Sequence, residues 1–144
     1  MNLPSIPTIG YSYGNASRNK NACQGPLVVE KQLTTSLHLN WQTIISSHHN
    51  EKIGMQALDS VAILSKELAT AITVCINKYK VFLMIGGDHS SAIGTWNGAA
   101  NTLTNDLGLL WIDAHLDSHT PKSSHTKNIH GMPVATLLGY GEEK

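Results

Sequence analysis

The residues most able to do chemistry crowd into the stretch from Leu109 to Pro133. An apolar run, Leu109-Leu110-Trp111-Ile112, leads into Asp113-Ala114-His115-Leu116-Asp117, and a polar segment then ends in Asn128-Ile129-His130-Gly131-Met132-Pro133. The apolar run reads as a buried strand, with the acids starting where it stops. On an extended backbone side chains at i and i+2 share a face roughly 6–7 Å apart, so Asp113 and His115 can meet one ion or two neighbouring ones. Asp113 and Asp117 would lie roughly 13 Å apart on a straight strand, too far to share an ion with ligand bonds near 2 Å. Either the chain curls after His115 or the site holds more than one ion. A second cluster, Gly86-Gly87-Asp88-His89-Ser90, follows another apolar run. It has neither the Lys-Ser/Thr ending of a phosphate loop nor the spacing of a dinucleotide fingerprint.

The elements that must position these groups alternate in type. Pro7 to Tyr13 reads as a strand and Gly14 to Gln24 as a polar loop. Gly25-Pro26 suits a helix start ahead of Leu27 to Leu37. Trp41 to Ser46 reads as a short strand, and His48-His49-Asn50-Glu51-Lys52 as a solvated loop. From Met55 to Tyr79, Leu58, Ala62, Leu64, Leu68, Ile72, Cys75 and Ile76 recur at helical spacing with no internal Gly or Pro. Val81 to Ile85 reads as a strand, Ser91 to Leu103 as a helix weakened at Asn97-Gly98, Leu109 to Ile112 as a strand, and Met132 to Leu138 as a final helix stopped by Gly139. Strands separated by helices imply an α/β fold: three α/β/α layers around a mostly parallel, doubly wound sheet. In such sheets the ligand site gathers beyond the C-terminal strand edge, where both polar clusters fall.

Composition narrows the function classes. The 144 residues, 41% hydrophobic and 14% charged, suffice for one domain with a single core, and no internal boundary is visible. Ten basic and ten acidic side chains cancel, which removes an electrostatic case for nucleic acid or an anionic membrane. Cys23 and Cys75 form no C-x-x-C pair, and no apolar run approaches membrane-spanning length, so a soluble cytoplasmic chain is expected.

Taken together, Gly-Gly-Asp-His-Ser after one strand, Asp-Ala-His-x-Asp after the next and Asn-x-His-Gly before a helix resemble the ureohydrolases: arginases, agmatinases and formiminoglutamases. The resemblance covers most of this chain and roughly the N-terminal half of a typical family member. It implies a binuclear manganese site in which His89 and Asp117 bind the first Mn(II), His115 the second, and Asp113 both. Carboxylates with some imidazole suit a hard divalent ion, and thiolates are absent. His130 resembles a proton-shuttling histidine, Asn128 resembles a residue that reads the amino-acid end of the substrate, and Asp88 is expected to support the turn. The implied reaction is hydrolysis of a guanidino or formimino C–N bond, with arginine or agmatine as substrate and urea and an amine as products.

The pattern departs from the family at His119, where arginases carry asparagine, and at Thr126-Lys127, which replaces a Ser-Gly pair that reads the α-carboxylate. A later Asp-x-Asp motif of the family has no counterpart up to Lys144. The resemblance therefore implies a metal site completed by a C-terminal half or by a neighbouring subunit of a homo-oligomer. The alternatives are a single-zinc deacetylase-like hydrolase and a degenerate, non-catalytic metal-binding subunit.

Overall fold

The computed structural model describes residues 4–47, 52–103 and 107–141. The His48-His49 segment lies outside them, as do residues 1–3, 104–106 and 142–144. Three parallel strands, β1 (Ile6–Ser12), β2 (Leu39–Ser46) and β3 (Leu83–Gly86), lie in the order β2-β1-β3. Among the described residues four α-helices accompany them: α1 (Gln24–Leu33), α2 (Leu58–Tyr79), α3 (Ser91–Thr102) and α4 (Pro133–Leu137). β1 is central, and all its residues after Ile6 are buried, as a strand covered on both faces must be. Pro7, which has no N–H, pairs with Asn40 on β2, whereas pairing with β3 begins only at Thr8. On β2 the register slips after Trp41, leaving Gln42 as the extra residue between Trp41 and Thr43.

Strand alternation sorts β1 between two layers. Ile9, Tyr11 and Tyr13 join Val61, Leu64, Leu68, Ile72, Cys75 and Ile76 of α2 in the main core. On the opposite face the Ser12 hydroxyl donates to the Cys23 carbonyl at 2.8 Å, just before α1, whose Pro26 is fully buried. α3 packs against α2 through Gly94 and Gly98. A Cβ on Gly94 would lie 2.6 Å from the Ser65 carbonyl, and one on Gly98 would lie 2.5 Å from that of Ala69. Gly98, read from the sequence as a weak point, is what lets the two helices approach.

α2 is the helix its periodicity predicted, with one change of phase. Val61 is buried, while Leu58 and Ala62 face outward. α1 starts at Gln24 and stops at Leu33, short of the expected Leu37, because the chain there breaks into turns and His38 takes a positive φ of 51°. The larger correction concerns Leu109 to Ile112. This run pairs with no strand among the described residues, and Leu110 and Ile112 are 80% and 88% exposed. A strand of that composition is held by neighbours on both faces, and β3, at the edge of the described sheet, is only four residues long. Without packing to fix a register, the run stays extended but unladdered.

The chain crosses from β1 through α1 out to β2 and then through α2 back past β1 to β3, so the C-terminal ends of β1 and β3 form a topological switch point. The backbone N–H groups of Gly87 and Asp88 continue that pairing beyond β3, donating to Tyr11 O at 2.7 Å and Tyr13 O at 3.0 Å.

Candidate metal centre

His89 enters the site on the turn after β3. A Cβ on Gly87 would lie 2.2 Å from the Tyr13 carbonyl, so only glycine allows the turn to press against the end of β1. The next residue, Asp88, is 8% exposed, and its Oδ1 accepts the Ser90 backbone N–H at 3.0 Å and the Ser90 hydroxyl at 2.6 Å. Burial pushes the Asp88 carboxyl above the ordinary carboxylate range despite the bonds from Ser90. The Ser90 hydroxyl also meets the buried Tyr11 hydroxyl at 3.2 Å. These contacts fix the backbone on both sides of His89, whose ring packs edge-on against Trp111 with centroids 5.4 Å apart.

Asp113 and Asp117 reach His89 because the chain curls. Residues 113–115 form a bend, and Asp117 adopts a left-handed φ of 46°. The Asp117 carbonyl accepts the Val134 N–H at 2.9 Å, tying the curl to the first turn of α4. His89 Nδ1 then lies 2.7 Å from Asp117 Oδ2 and 3.3 Å from Asp113 Oδ2. One ligand atom from each of His89, Asp113 and Asp117 falls within 4.8 Å of the others, a spacing one cation can span. The donor set, one imidazole and two carboxylates, suits a hard or borderline divalent ion.

His115 does not join that group. Its Nδ1 sits 3.2 Å from the other Asp113 oxygen, Oδ1, and its side chain is 82% exposed. The two oxygens of Asp113 thus face different imidazoles. Asp113 Oδ1 also accepts the His115 backbone N–H at 2.7 Å, and that bond is the main reason the Asp113 carboxyl lies below the ordinary range.

The remaining predicted residues lie on the loop before α4. His130 is half-buried, and its N–H donates to the Ala16 carbonyl at 3.2 Å, joining this loop to the one after β1. The Asn128 N–H reaches the exposed Thr126 hydroxyl at 3.4 Å, and Lys127 Nζ donates to the Pro121 carbonyl. His119 bonds through its N–H to the Gly131 carbonyl at 3.2 Å, with its ring 3.3 Å from the Ser123 hydroxyl. It also lines a cleft of about 650 Å³ between α2, α3 and this loop. The cleft walls are mainly apolar, including Met55, Leu58, Ile93 and Met132, and His89, Asp113 and Asp117 lie outside it. The three converging ionisable side chains thus lie apart from this apolar cleft. Residue types pointed to neither Trp111 nor Ala16: Trp111 read as strand core, and Ala16 acts through its backbone.

Sequence comparison decides the family. The Arginase family profile matches residues 6–143. The chain belongs to the Arginase family. It is 45% identical to the arginase of Bacillus subtilis over 89 residues, which are 62% of this chain and 30% of that protein. The crystal structure of the Bacillus subtilis arginase superposes with a TM-score of 0.78 at 32% identity, covering 97% of this chain and 48% of that one. The Entamoeba histolytica arginase in complex with L-ornithine gives a TM-score of 0.84 at 28% identity, covering 99% and 52%. This arginase-family chain thus spans about half the length of the arginases it matches. Its parallel α/β sheet is theirs, and among its described residues no helix is long and apolar enough to cross a membrane.

Proposed function

We propose that this chain carries the first half of a manganese-dependent ureohydrolase centre, acting on a small guanidino compound such as arginine or agmatine. The observation that carries the reading is the convergence of His89, Asp113 and Asp117 in a chain of the Arginase family. His89 and Asp117 would hold one Mn(II). Asp113, with one oxygen toward that pair and the other toward His115, suits a bridge to a second ion bound by His115. When bound, such ions supply Lewis acidity that brings water toward ionisation near neutral pH.

The chain's own residues do the rest. Asp113 and Asp117 bring negative charge that offsets the cations, and Trp111 limits the ring orientations of His89. His130 would carry the proton that the departing amine requires, a task suited to an imidazole near pH 7. Asn128, Thr126 and His119 would read the substrate's other end from the loop that also bears His130. A soluble cytoplasmic setting fits this chemistry.

A single-ion reading is favoured by one specific observation: three ligands converge on one point while His115 stands apart and exposed. For the 144-residue chain alone we therefore expect weak binding of one manganese ion and negligible urea release. The test is urea release by the purified chain in excess manganese, with metal content measured on the same sample. Robust turnover with two ions per chain would overturn the half-centre reading.

A further inference from the structure

Three stretches distant in sequence are joined pairwise by backbone hydrogen bonds: Asn15-Ala16 after β1, Gly54-Met55 ahead of α2, and the loop from Lys127 to His130. The Gly54 N–H donates to the Asn15 carbonyl at 2.8 Å, the Met55 N–H to the Lys127 carbonyl at 2.8 Å, and the His130 N–H to the Ala16 carbonyl at 3.2 Å. The three bonds close a triangle. Gly54 forms one corner, buried and with a left-handed φ of 56°. A Cβ there would lie 2.8 Å from the Lys127 carbonyl oxygen and 3.3 Å from Asn128 Oδ1, so the loop backbone and the Asn128 carboxamide both press into the space a side chain would need. Lys127 also has a positive φ of 56°, and its N–H donates to the hydroxyl of the buried Ser124 at 3.0 Å. Ile129, between Asn128 and His130, is 4% exposed and belongs to the main core, with Met55 packed against that core.

We propose that Gly54 is a positioning residue for Asn128 and His130: its left-handed backbone and missing side chain let the Gly54-Met55 turn hold the Lys127 to His130 loop against the loop after β1. Only glycine meets both demands, because an L side chain is strained at that φ and its Cβ would collide with the Lys127 carbonyl. His89 rides on a different anchor, the Gly87 turn bonded to the end of β1, so the metal ligand and this loop can be perturbed separately. The roles of Asn128 and His130 rest on the function proposed above, but the triangle does not, because it is read without metal or substrate.

The test is Gly54→Ala in the metal-free 144-residue chain, read by amide hydrogen exchange and by the NMR signals of the Asn128 side-chain NH2. Exchange at the Met55 and His130 amides should rise by about tenfold or more and the Asn128 NH2 signals should shift, while the Gly87 and Asp88 amides bonded to Tyr11 and Tyr13 keep their protection. Unchanged protection at His130 would overturn the positioning role. So would an equal loss at Gly87, Asp88 and His130, which would mark a general loss of stability. If the variant does not fold, the unsubstituted chain decides. Gly54, Met55 and His130 should share one opening free energy across a denaturant series, and separate opening of His130 would refute the proposal. Failure of the manganese centre would leave all these readouts in place, so the two readings fail separately.

Discussion

Replacing Gly87 by alanine tests the tightest contact between fold and site. The added Cβ would lie 2.2 Å from the Tyr13 carbonyl oxygen and 3.0 Å from the Tyr13 carbonyl carbon and nitrogen, all backbone atoms. Non-bonded heavy atoms prefer about 3.5 Å, so the turn and the end of β1 must part by about 1 Å. That movement stretches the 2.7 Å bond from Gly87 to Tyr11 and the 3.0 Å bond from Asp88 to Tyr13. Each is worth about 1 kcal/mol net, and more where a buried group is left unpaired, giving a loss of about 2–4 kcal/mol. For a small domain that is a large part of about 5–15 kcal/mol. With a urea m-value of about 1.5 kcal/mol/M, the midpoint should fall by about 1–3 M. Manganese affinity should drop by about tenfold or more, since His89 rides on the same turn. Gly25→Ala is the control: its Cβ would stand 3.4 Å from the Gly86 carbonyl in the first turn of α1, and the change should be neutral or stabilise by up to about 1 kcal/mol. A midpoint within about 0.3 M of the unsubstituted chain for Gly87→Ala would refute the reasoning.

Core and bare edge should respond in opposite ways: Leu68→Ala should cost about 2–5 kcal/mol, whereas Ile112→Ser, at an 88% exposed position, should stay within about 0.5 kcal/mol in the isolated chain. Both are read from urea unfolding, and a large cost for Ile112→Ser would mean the run is packed after all. For pH, the Asp88 carboxyl is raised by burial above its ordinary 3.8, so its stabilising contribution is present below that value and is lost as pH rises through the raised one. The Asp113 carboxyl is lowered by the His115 backbone bond, so its contribution is present above 3.8 and is lost as pH falls through the lowered one. Asp88→Asn should therefore flatten the fall in the metal-free unfolding midpoint above about pH 4, and an unchanged slope would contradict the burial argument. In a complete protein carrying this half, His130→Ala should leave metal content intact and lower turnover by about 10²–10⁴-fold, while loss of metal would make His130 a ligand.

How much could be read from the sequence depended on whether the relevant force was local. The α2 stripe was legible because periodicity reports a buried face directly, although its phase shifted where Leu58 and Ala62 line the cleft beside α4. The turn after β3 was legible because a glycine pair at a strand end permits a tight turn and a close backbone approach. Leu109 to Ile112 misled because an apolar run records a preference for burial and not the presence of a partner to bury it. Distance alone left two options for Asp113 and Asp117, a curl after His115 or more than one ion, and the structure has the curl, with Asp117 in a left-handed conformation 2.7 Å from His89. Three of the four expected ligands meet in the structure, and His115 falls outside because the bend turns it to solvent. The Ala16 link to His130 had no residue-type signal, because both partners in that bond are backbone groups.

The most direct test of the account is manganese binding by the 144-residue chain, followed by calorimetry and by the electron paramagnetic resonance of bound Mn(II). The account predicts about one ion per chain, binding abolished by Asp113→Ala, weakened by about tenfold or more by His89→Ala or Asp117→Ala, and changed little by His115→Ala. Binding that survives Asp113→Ala with unchanged stoichiometry and affinity would contradict a metal centre built on His89, Asp113 and Asp117.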